Sequence, residues 1–184
     1  MNFYRALNNQ IFKKGKYCIV PIRSDDRYDI MQWRNDQIYH LRQKELLSKE
    51  SQDKYFLNVV KNLFDLSNPD QLLFSFLKEK KCVGYGGLVH INWEDEHAEV
   101  SFVMNTFLEN DYFYKYWSEY LYLIEKVAFE DLKLNKIFVY AYDLRPKLYE
   151  VLTDYSYTKE AVLKRHHRFN NAYVDVLIFS KFNL

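Results

Sequence analysis

Apolar and polar residues alternate along several short stretches of the chain, and this alternation predicts seven β-strands. Side chains of a strand point alternately to the two faces of a sheet, so a two-residue period indicates strand and a period near 3.6 indicates helix. The alternation is clearest in residues 97–104, where Glu99 and Ser101 alternate with Val100 and Phe102. The predicted strands cover residues 17–23, 71–78, 82–93, 97–104, 136–142, 158–168 and 172–181.

Apolar residues that recur every three or four positions predict four helices between these strands. The best example follows Ser48, where Phe56, Val60 and Leu63 share one helical face. Small polar residues before such a pattern, and Pro at a first helical position, indicate where a helix begins. The predicted helices follow Asp25 and Asp26, run from Ser48 to Asn68, run from Asp111 to about Leu132, and begin at Pro146.

The order of these elements defines the fold class that we expect. Strands and helices follow one another as β, α, α, β, β, β, α, β, α, β, β, without repeats, low-complexity tracts or a linker. A chain of 184 residues is long enough for one substantial core and too short for two full-sized domains. We therefore predict a single domain over residues 1–184, of the α/β (α+β) class, with helices on both faces of a mixed sheet.

Charge and cysteine content narrow the possible partners. The chain has 26 Lys and Arg residues against 25 Asp and Glu residues, a net charge of +1 that gives no field for attracting a phosphate backbone. No sustained apolar run suggests a signal peptide or a membrane-spanning helix. Cys18 and Cys82 are too far apart for a metal-binding or redox motif. We expect a cytoplasmic protein that binds no nucleic acid, membrane or metal.

Four local motifs occur in an order and spacing that resemble the GNAT superfamily of acyl-CoA-dependent N-acyltransferases. They are similar to the branch that contains ribosomal-protein acetyltransferases and bacterial amino-sugar acetyltransferases. The resemblance implies a mostly antiparallel seven-stranded sheet flanked by four helices, with the fourth and fifth strands splayed where acetyl-CoA enters. The motifs are WRND at 33–36, HAEVSF at 97–102, VAFEDLKLNKI at 127–137 and YVDVL at 173–177.

The resemblance also locates the expected cofactor site, and there the chain departs from the superfamily. The pyrophosphate of the cofactor normally meets backbone N–H groups in a loop of sequence Gln/Arg-x-x-Gly-x-Gly/Ala before the third helix. The corresponding residues 110–115 read NDYFYK and lack both glycines. Either the pyrophosphate is not held, or the loop takes another path and Lys115 supplies a compensating charge. The implied cofactor residues are Phe102, Val103 and Met104 for the pantetheine arm and thioester oxygen, and Phe113, Tyr114 and Lys115 for the phosphates.

Amine attack on a thioester needs a proton acceptor for the amine and a proton donor for the thiolate. Glu99 matches a strand-four glutamate that serves as general base in several superfamily members, and apolar neighbours would make it a stronger base. An exposed glutamate paired with a lysine is the alternative. His90 either assists this base or is an ordinary strand residue. Tyr149 is the candidate acid, with Tyr155 as a second choice, because the usual Asn and Tyr positions are occupied by Arg145 and Leu152. Both tyrosines could instead be ordinary core or surface residues.

The acceptor is the least determined part of the prediction. Arg23, Arg34 and Arg42 could bind phosphate or carboxylate, because guanidinium groups bind such anions in a bidentate manner. Resemblance to the amino-sugar branch implies a nucleotide-linked amino sugar used in surface polysaccharide synthesis, with Arg34 and His90 as acceptor-binding residues. A peptide or protein α-amino group is the alternative acceptor. A binding subunit without catalysis remains a different class of function, and a homodimer is possible.

Overall fold

Eight strands form one mixed sheet in the computed structural model, which describes residues 2–183. The strand order across the sheet is β1-β2-β3-β4-β5-β6-β8-β7. Neighbouring strands are antiparallel except β5 and β6, which are parallel. The strands are β1 (Phe12–Lys14), β2 (Tyr17–Pro21), β3 (Gln71–Lys78), β4 (Lys81–Asn92), β5 (His97–Met104), β6 (Lys136–Tyr142), β7 (Thr158–Phe169) and β8 (Ala172–Phe182).

The predicted sheet is confirmed, except that it contains eight strands rather than seven. The additional strand, β1, pairs with β2 across a turn in which Gly15 has a φ of 56°. It contains only three residues, of which Lys13 and Lys14 are polar and adjacent. Such a segment is too short to show an alternating pattern, so the sequence did not reveal it.

The helices form four continuous helical segments, as predicted. Ser48 caps the second of them, since its Oγ accepts a hydrogen bond of 3.1 Å from the Ser51 N–H and the Ser51 side chain returns the contact. A π-helical turn over Phe56–Val60 joins two short helices into that segment, and a second π-helical turn over Lys126–Asp131 extends the longest helix. The helices are α1 (Arg27–Asp36), α2 (Lys49–Tyr55), α3 (Lys61–Leu63), α4 (Glu109–Glu125) and α5 (Pro146–Asp154).

The start of α4 differs from the prediction, which placed it at Asp111. A 3-10 turn over Thr106–Leu108 precedes the helix, and α4 begins at Glu109. The capping side chain is Asn105, whose Oδ1 accepts a hydrogen bond of 3.0 Å from the Phe107 N–H. Residues 110–115 therefore belong to the first two turns of the helix rather than to a loop before it.

Helices cover both faces of the sheet, as two neighbouring residues of β4 show. The hydroxyl of Tyr85 contacts Arg34 on α1, whereas a Cβ added at Gly86 would lie 2.6 Å from the hydroxyl of Tyr120 on α4. Successive residues of a strand point to opposite faces. Helices α1 and α4 therefore lie on opposite faces, where α1 packs with α2 and α4 packs with α5.

The parallel pair β5 and β6 separates along its length. Only three residue pairs join the two strands, from His97 with Lys136 to Glu99 with Phe138. Beyond Glu99, the remaining residues of β5 pair with β4 alone. This divergence is the predicted splay, and it leaves the β6-facing backbone groups of residues 100–104 outside any β5–β6 ladder.

The two edges of the sheet are irregular. Strand β1 forms one edge and β7 the other. The register between β7 and β8 shifts between Lys159 and Ala161 and again between Leu163 and His167. Arg165, within the second shift, has a φ of 51°. Most of β7 is exposed to solvent.

No helix within residues 2–183 has the length and apolar character needed to cross a membrane. The same residues contain no cluster of three or more His, Cys, Asp or Glu side chains that could hold a metal ion. Burial raises the pKa of the Cys18 and Cys82 thiols, and a protonated thiol is a poor nucleophile. Neither cysteine is therefore suited to nucleophilic catalysis.

Candidate active site

A cavity of about 460 Å³ opens where β5 and β6 diverge. Its apolar walls include Phe102 from β5, Val139 from β6, Trp117 from α4 and Leu148 from α5. Polar and aromatic residues from segments far apart in the sequence also line the cavity. These include Arg34, His40, Arg42, Tyr55, Asp70, His90, Glu99, Tyr140, Tyr142 and Arg145.

Glu99 lies at the point where the two strands part. It is the last residue of β5 to pair with β6, and only 6% of its surface is exposed. Arg42 donates a hydrogen bond to Glu99 Oε1, and His90 Nε2 lies 3.9 Å from Glu99 Oε2. Glu99 is thus neither exposed nor paired with a lysine. His90 is mostly exposed and has a φ of 51°, where β4 loses its register with β5.

Arg34 reaches the cavity from α1 and is held by two neutral groups. Its Nη1 donates to the Tyr85 hydroxyl at 2.5 Å and its Nε donates to Gln43 Oε1 at 2.9 Å. Among residues 2–183, no carboxylate lies within 4.0 Å of this guanidinium. An arginine that lines a cavity without an anionic partner is a ready binding group for an anion.

The WRND motif also fixes the segment that carries Arg42. The Asn35 side chain accepts from the Leu47 N–H at 2.8 Å and donates to the Leu47 carbonyl at 2.9 Å. Its Oδ1 also accepts from Gln43 Nε2 at 3.0 Å. Residues 41–48 contain no helix or strand. The motif therefore holds an irregular segment against α1 and so sets the position of Arg42 in the cavity.

Arg145 forms a buried polar cluster between the first turns of α4 and α5. Its guanidinium donates to Glu109 and to His40 Nε2, the latter at 3.0 Å. Burial, with a further contribution from Arg145, lowers the pKa of His40 to about 3, so His40 is neutral near physiological pH. Burial also raises the pKa of Glu109 and lowers that of Arg145, because the charged forms lose hydration. Arg145 occupies the position at which the superfamily resemblance implied an asparagine.

A second cavity, of about 420 Å³, lies on the other side of Arg145. Glu109 and Asp111 place two carboxylates in the first turn of α4, and their negative charge disfavours the binding of an anion there. Positive charge in this cavity comes from Arg145 and Lys147 instead. The lining residues are Tyr39, Glu109, Asn110, Phe113, Leu144, Arg145, Pro146 and Lys147.

Of the residues predicted to meet the phosphates, only Phe113 lines the second cavity. The Tyr114 hydroxyl donates to Asp154 at 2.7 Å, and Lys115 Nζ donates to Glu119 at 2.6 Å. Both side chains therefore have protein partners away from the cavity. Lys147 was not selected from the sequence, and only its position directly after Pro146 at the start of α5 could have indicated it.

The predicted pantetheine residues divide in a similar way. Phe102 lines the first cavity, whereas Val103 and Met104 are buried in the core. The Met104 carbonyl accepts a hydrogen bond of 2.8 Å from Gln37 Nε2 and is not free for a ligand. The β6-facing backbone of residues 100–104 lies outside the β5–β6 ladder, and the role expected for the N–H groups of residues 102–104 stays a prediction.

Other predicted residues are not brought to the cavity. The Tyr149 hydroxyl donates to the Tyr142 carbonyl at 3.1 Å, its ring stacks on Phe179, and burial raises its pKa to about 12. Arg23 is bound to Asp26 at 2.6 Å and does not line either cavity. Three cavity-lining phenols were not selected from the sequence, because no local pattern distinguishes them from other tyrosines: Tyr55, Tyr140 and Tyr142.

The splay fits the acyl end of acetyl-CoA, because apolar walls and unpaired strand backbone line a passage next to a carboxylate. The phosphate end fits less closely, since the first turn of α4 carries carboxylates and no glycine. Arg145 and Lys147 are the groups that would hold the phosphates in this chain. Whether this chain binds the pyrophosphate without the two glycines therefore depends on these two side chains.

Comparison with known proteins identifies the family. The family model described as an acetyltransferase (GNAT) domain matches residues 19–178, most of the chain. No curated protein sequence matches the chain. A spermidine N-acetyltransferase from Vibrio cholerae, solved with CoA and spermine, superimposes with a TM-score of 0.78 at 15% identity, over 92% of this chain and 97% of that one.

A second solved structure gives the same result. The ribosomal-protein-S5-alanine acetyltransferase from Vibrio fischeri superimposes with a TM-score of 0.73 at 16% identity, over 95% of this chain and 97% of that one. At such low identity these structures show the shared fold and leave the acceptor open. The match over residues 19–178 shows that the chain belongs to the GNAT acetyltransferase family, whose members are acyl-CoA-dependent N-acyltransferases.

Proposed function

We propose that this chain transfers an acetyl group from acetyl-CoA to a primary amine on a small acceptor that also carries an anionic group. A nucleotide-linked amino sugar, of the kind used in surface polysaccharide synthesis, has this combination of an amine and phosphates. The observation that carries the proposal is Arg34, a cavity-lining guanidinium with no carboxylate within 4.0 Å among the described residues. A bound phosphate or carboxylate would supply the missing partner.

The charge of the cavity supports an anionic acceptor over a polyamine. Three arginines and two carboxylates line it, and Arg42 already accounts for Glu99. A polycation would need several free carboxylates, of which Asp70 is the only candidate in the lining that is not ion-paired. The V. cholerae enzyme that superimposes on this chain was solved with spermine. We therefore infer that the two proteins share a fold and differ in the charge of the acceptor.

Glu99 is the proposed general base. When bound, acetyl-CoA supplies an acetyl thioester in the splay. Glu99 accepts a proton from the acceptor ammonium, and the exposed His90 carries that proton to solvent. The β6-facing N–H groups of β5 beyond Glu99 are available as hydrogen-bond donors to the thioester oxygen. Tyr142, which lines the cavity, is the proposed proton donor in place of Tyr149, whose hydroxyl donates to a carbonyl.

Acetyl-CoA is expected to raise the melting temperature of the protein, because a ligand that binds only the folded state stabilises it. We expect Lys147→Ala to weaken acetyl-CoA affinity about tenfold, the worth of one charged hydrogen bond. Lys115→Ala is the matched control and should leave affinity unchanged, since Lys115 is paired with Glu119. Calorimetric titration measures both. An unchanged melting curve at saturating acetyl-CoA would instead favour the non-catalytic binding subunit.

The acceptor is tested with a panel of nucleotide-linked amino sugars, free amino sugars, spermidine and short peptides, followed by release of free CoA thiol. We expect the nucleotide-linked amines to have the highest kcat/KM. Arg34→Ala should raise their KM at least about 30-fold, which corresponds to about 2 kcal/mol for a lost charge pair. Arg27→Ala, on the same helix but bound to exposed Asp53, is the control that should change nothing.

Two outcomes would contradict this acceptor class. Turnover of peptides alone would assign the chain to N-terminal acetylation, the alternative that the sequence left open. Preferred turnover of spermidine would show that Arg34 does not bind the acceptor. In either case, the KM of the true acceptor should be insensitive to Arg34→Ala, because no anionic group would contact this guanidinium.

A further inference from the structure

We propose that Arg42 selects acceptors by controlling when Glu99 is free to accept a proton. This inference rests on the proposed function, because it gives the anionic group of the acceptor a second task in the same cavity. Arg42 Nη2 donates a hydrogen bond to Glu99 Oε1. The Glu99 side chain is 7% exposed and that of Arg42 is 45% exposed. The carboxylate is thus fixed on β5, while its partner is a half-exposed side chain on an irregular segment.

The ion pair occupies one of the two carboxylate oxygens of Glu99. While this contact is in place, Glu99 Oε1 is not available to an acceptor amine. Arg42 also places a positive charge next to Glu99, and this charge repels an arriving acceptor ammonium. An amine that leaves Arg42 in place therefore meets a carboxylate that is already paired with a cation.

An anionic acceptor removes this obstacle. Arg34 and Arg42 line the same cavity and are linked through Gln43, which accepts a hydrogen bond from Arg34 Nε. A phosphate bound by Arg34 offers Arg42 a second anion close to its present position. The other contact of Arg42 is a cation–π interaction with Tyr140, at 4.8 Å from the ring centroid, which is too weak to compete with a phosphate. Arg42 can therefore exchange Glu99 for the acceptor and free the carboxylate.

The experiment compares two acceptors with the same amine, of which only one carries anionic phosphates: a nucleoside diphosphate-linked amino sugar and the same amino sugar without the nucleotide. The wild-type protein should strongly prefer the charged member of the pair. In Arg42→Ala we expect kcat for the uncharged amino sugar to rise about tenfold, because Glu99 is no longer paired. The KM of the charged acceptor should rise about tenfold in the same variant. Arg42→Lys should keep part of the preference.

Arg34→Ala is the matched control for this gain of activity. It should weaken the charged acceptor without improving the uncharged one, because Arg34 does not contact Glu99. A purely structural role for Arg42 would lower kcat on both acceptors together, and an Arg42→Ala protein with no gain on the uncharged amino sugar would equally overturn the inference. A wild-type protein without preference for the charged acceptor would instead refute the proposed function.

Discussion

Replacing Glu99 by Gln should lower turnover by about 100-fold or more, the usual worth of a positioned general base. Glutamine keeps the size of the side chain and an oxygen that can accept the hydrogen bond from Arg42. It cannot accept a proton. We therefore expect kcat to fall while the affinity for acetyl-CoA stays the same. Release of free CoA thiol measures kcat, and calorimetric titration measures the affinity.

Glu94→Gln provides the control, because Glu94 lies in the turn between β4 and β5 and outside the cavity lining. It should match the wild type in both measurements. Equal turnover in Glu99→Gln and wild type would remove Glu99 from the mechanism. A loss of acetyl-CoA affinity in parallel with turnover would show that Glu99 maintains the shape of the splay rather than moving a proton.

Gly87→Ala should destabilise the fold by about 3 kcal/mol or more, at the upper end of overpacking effects. Gly87 pairs with Leu73 where β3 and β4 approach closely, and an added Cβ would lie 2.0 Å from the Leu72 carbonyl oxygen. That atom belongs to the backbone of a buried strand and cannot rotate away. The two strands would have to separate, which disturbs the centre of the sheet. Urea unfolding followed by circular dichroism measures the loss.

Gly15→Ala separates this steric effect from the general cost of replacing glycine. Gly15 has a positive φ, but no heavy atom lies within 4 Å of an added Cβ. Its substitution should cost only the backbone strain of a left-handed residue, about 1 kcal/mol. If Gly87→Ala is no more destabilising than Gly15→Ala, the close approach of β3 and β4 does not limit the residue at this position.

Local patterns were sufficient to predict most of the fold. Alternation and helical periodicity arise from the few residues next to each other, so seven of the eight strands and all four helical segments could be read from the sequence. The start of α4 could not, because Asn105 and Asp111 are both plausible caps and only the 3-10 turn between them decides which one is used. The prediction therefore placed residues 110–115 in a phosphate-binding loop, whereas they form the first turns of α4.

The site was predictable only where one residue carries its own chemistry. Glu99 and Arg34 were found because a motif marks each of them. The contact between Arg42 and Glu99 joins residues 57 positions apart, and that between Arg145 and Glu109 joins residues 36 apart. Such pairs depend on how elements pack, which a single sequence does not record. The ion pair of Lys115 is, by contrast, visible in the sequence, because its partner Glu119 lies one helical turn away.

The irregular edges of the sheet determine how copies of this chain can meet. An exposed edge strand is a template for backbone pairing with another molecule, and proteins avoid such aggregation with very short edges, bulges and charge. One edge here is only three residues long. The other is interrupted at two register shifts and carries Lys159 and Lys164. A shared intermolecular sheet is therefore disfavoured, so a homodimer would have to form through complementary side-chain surfaces.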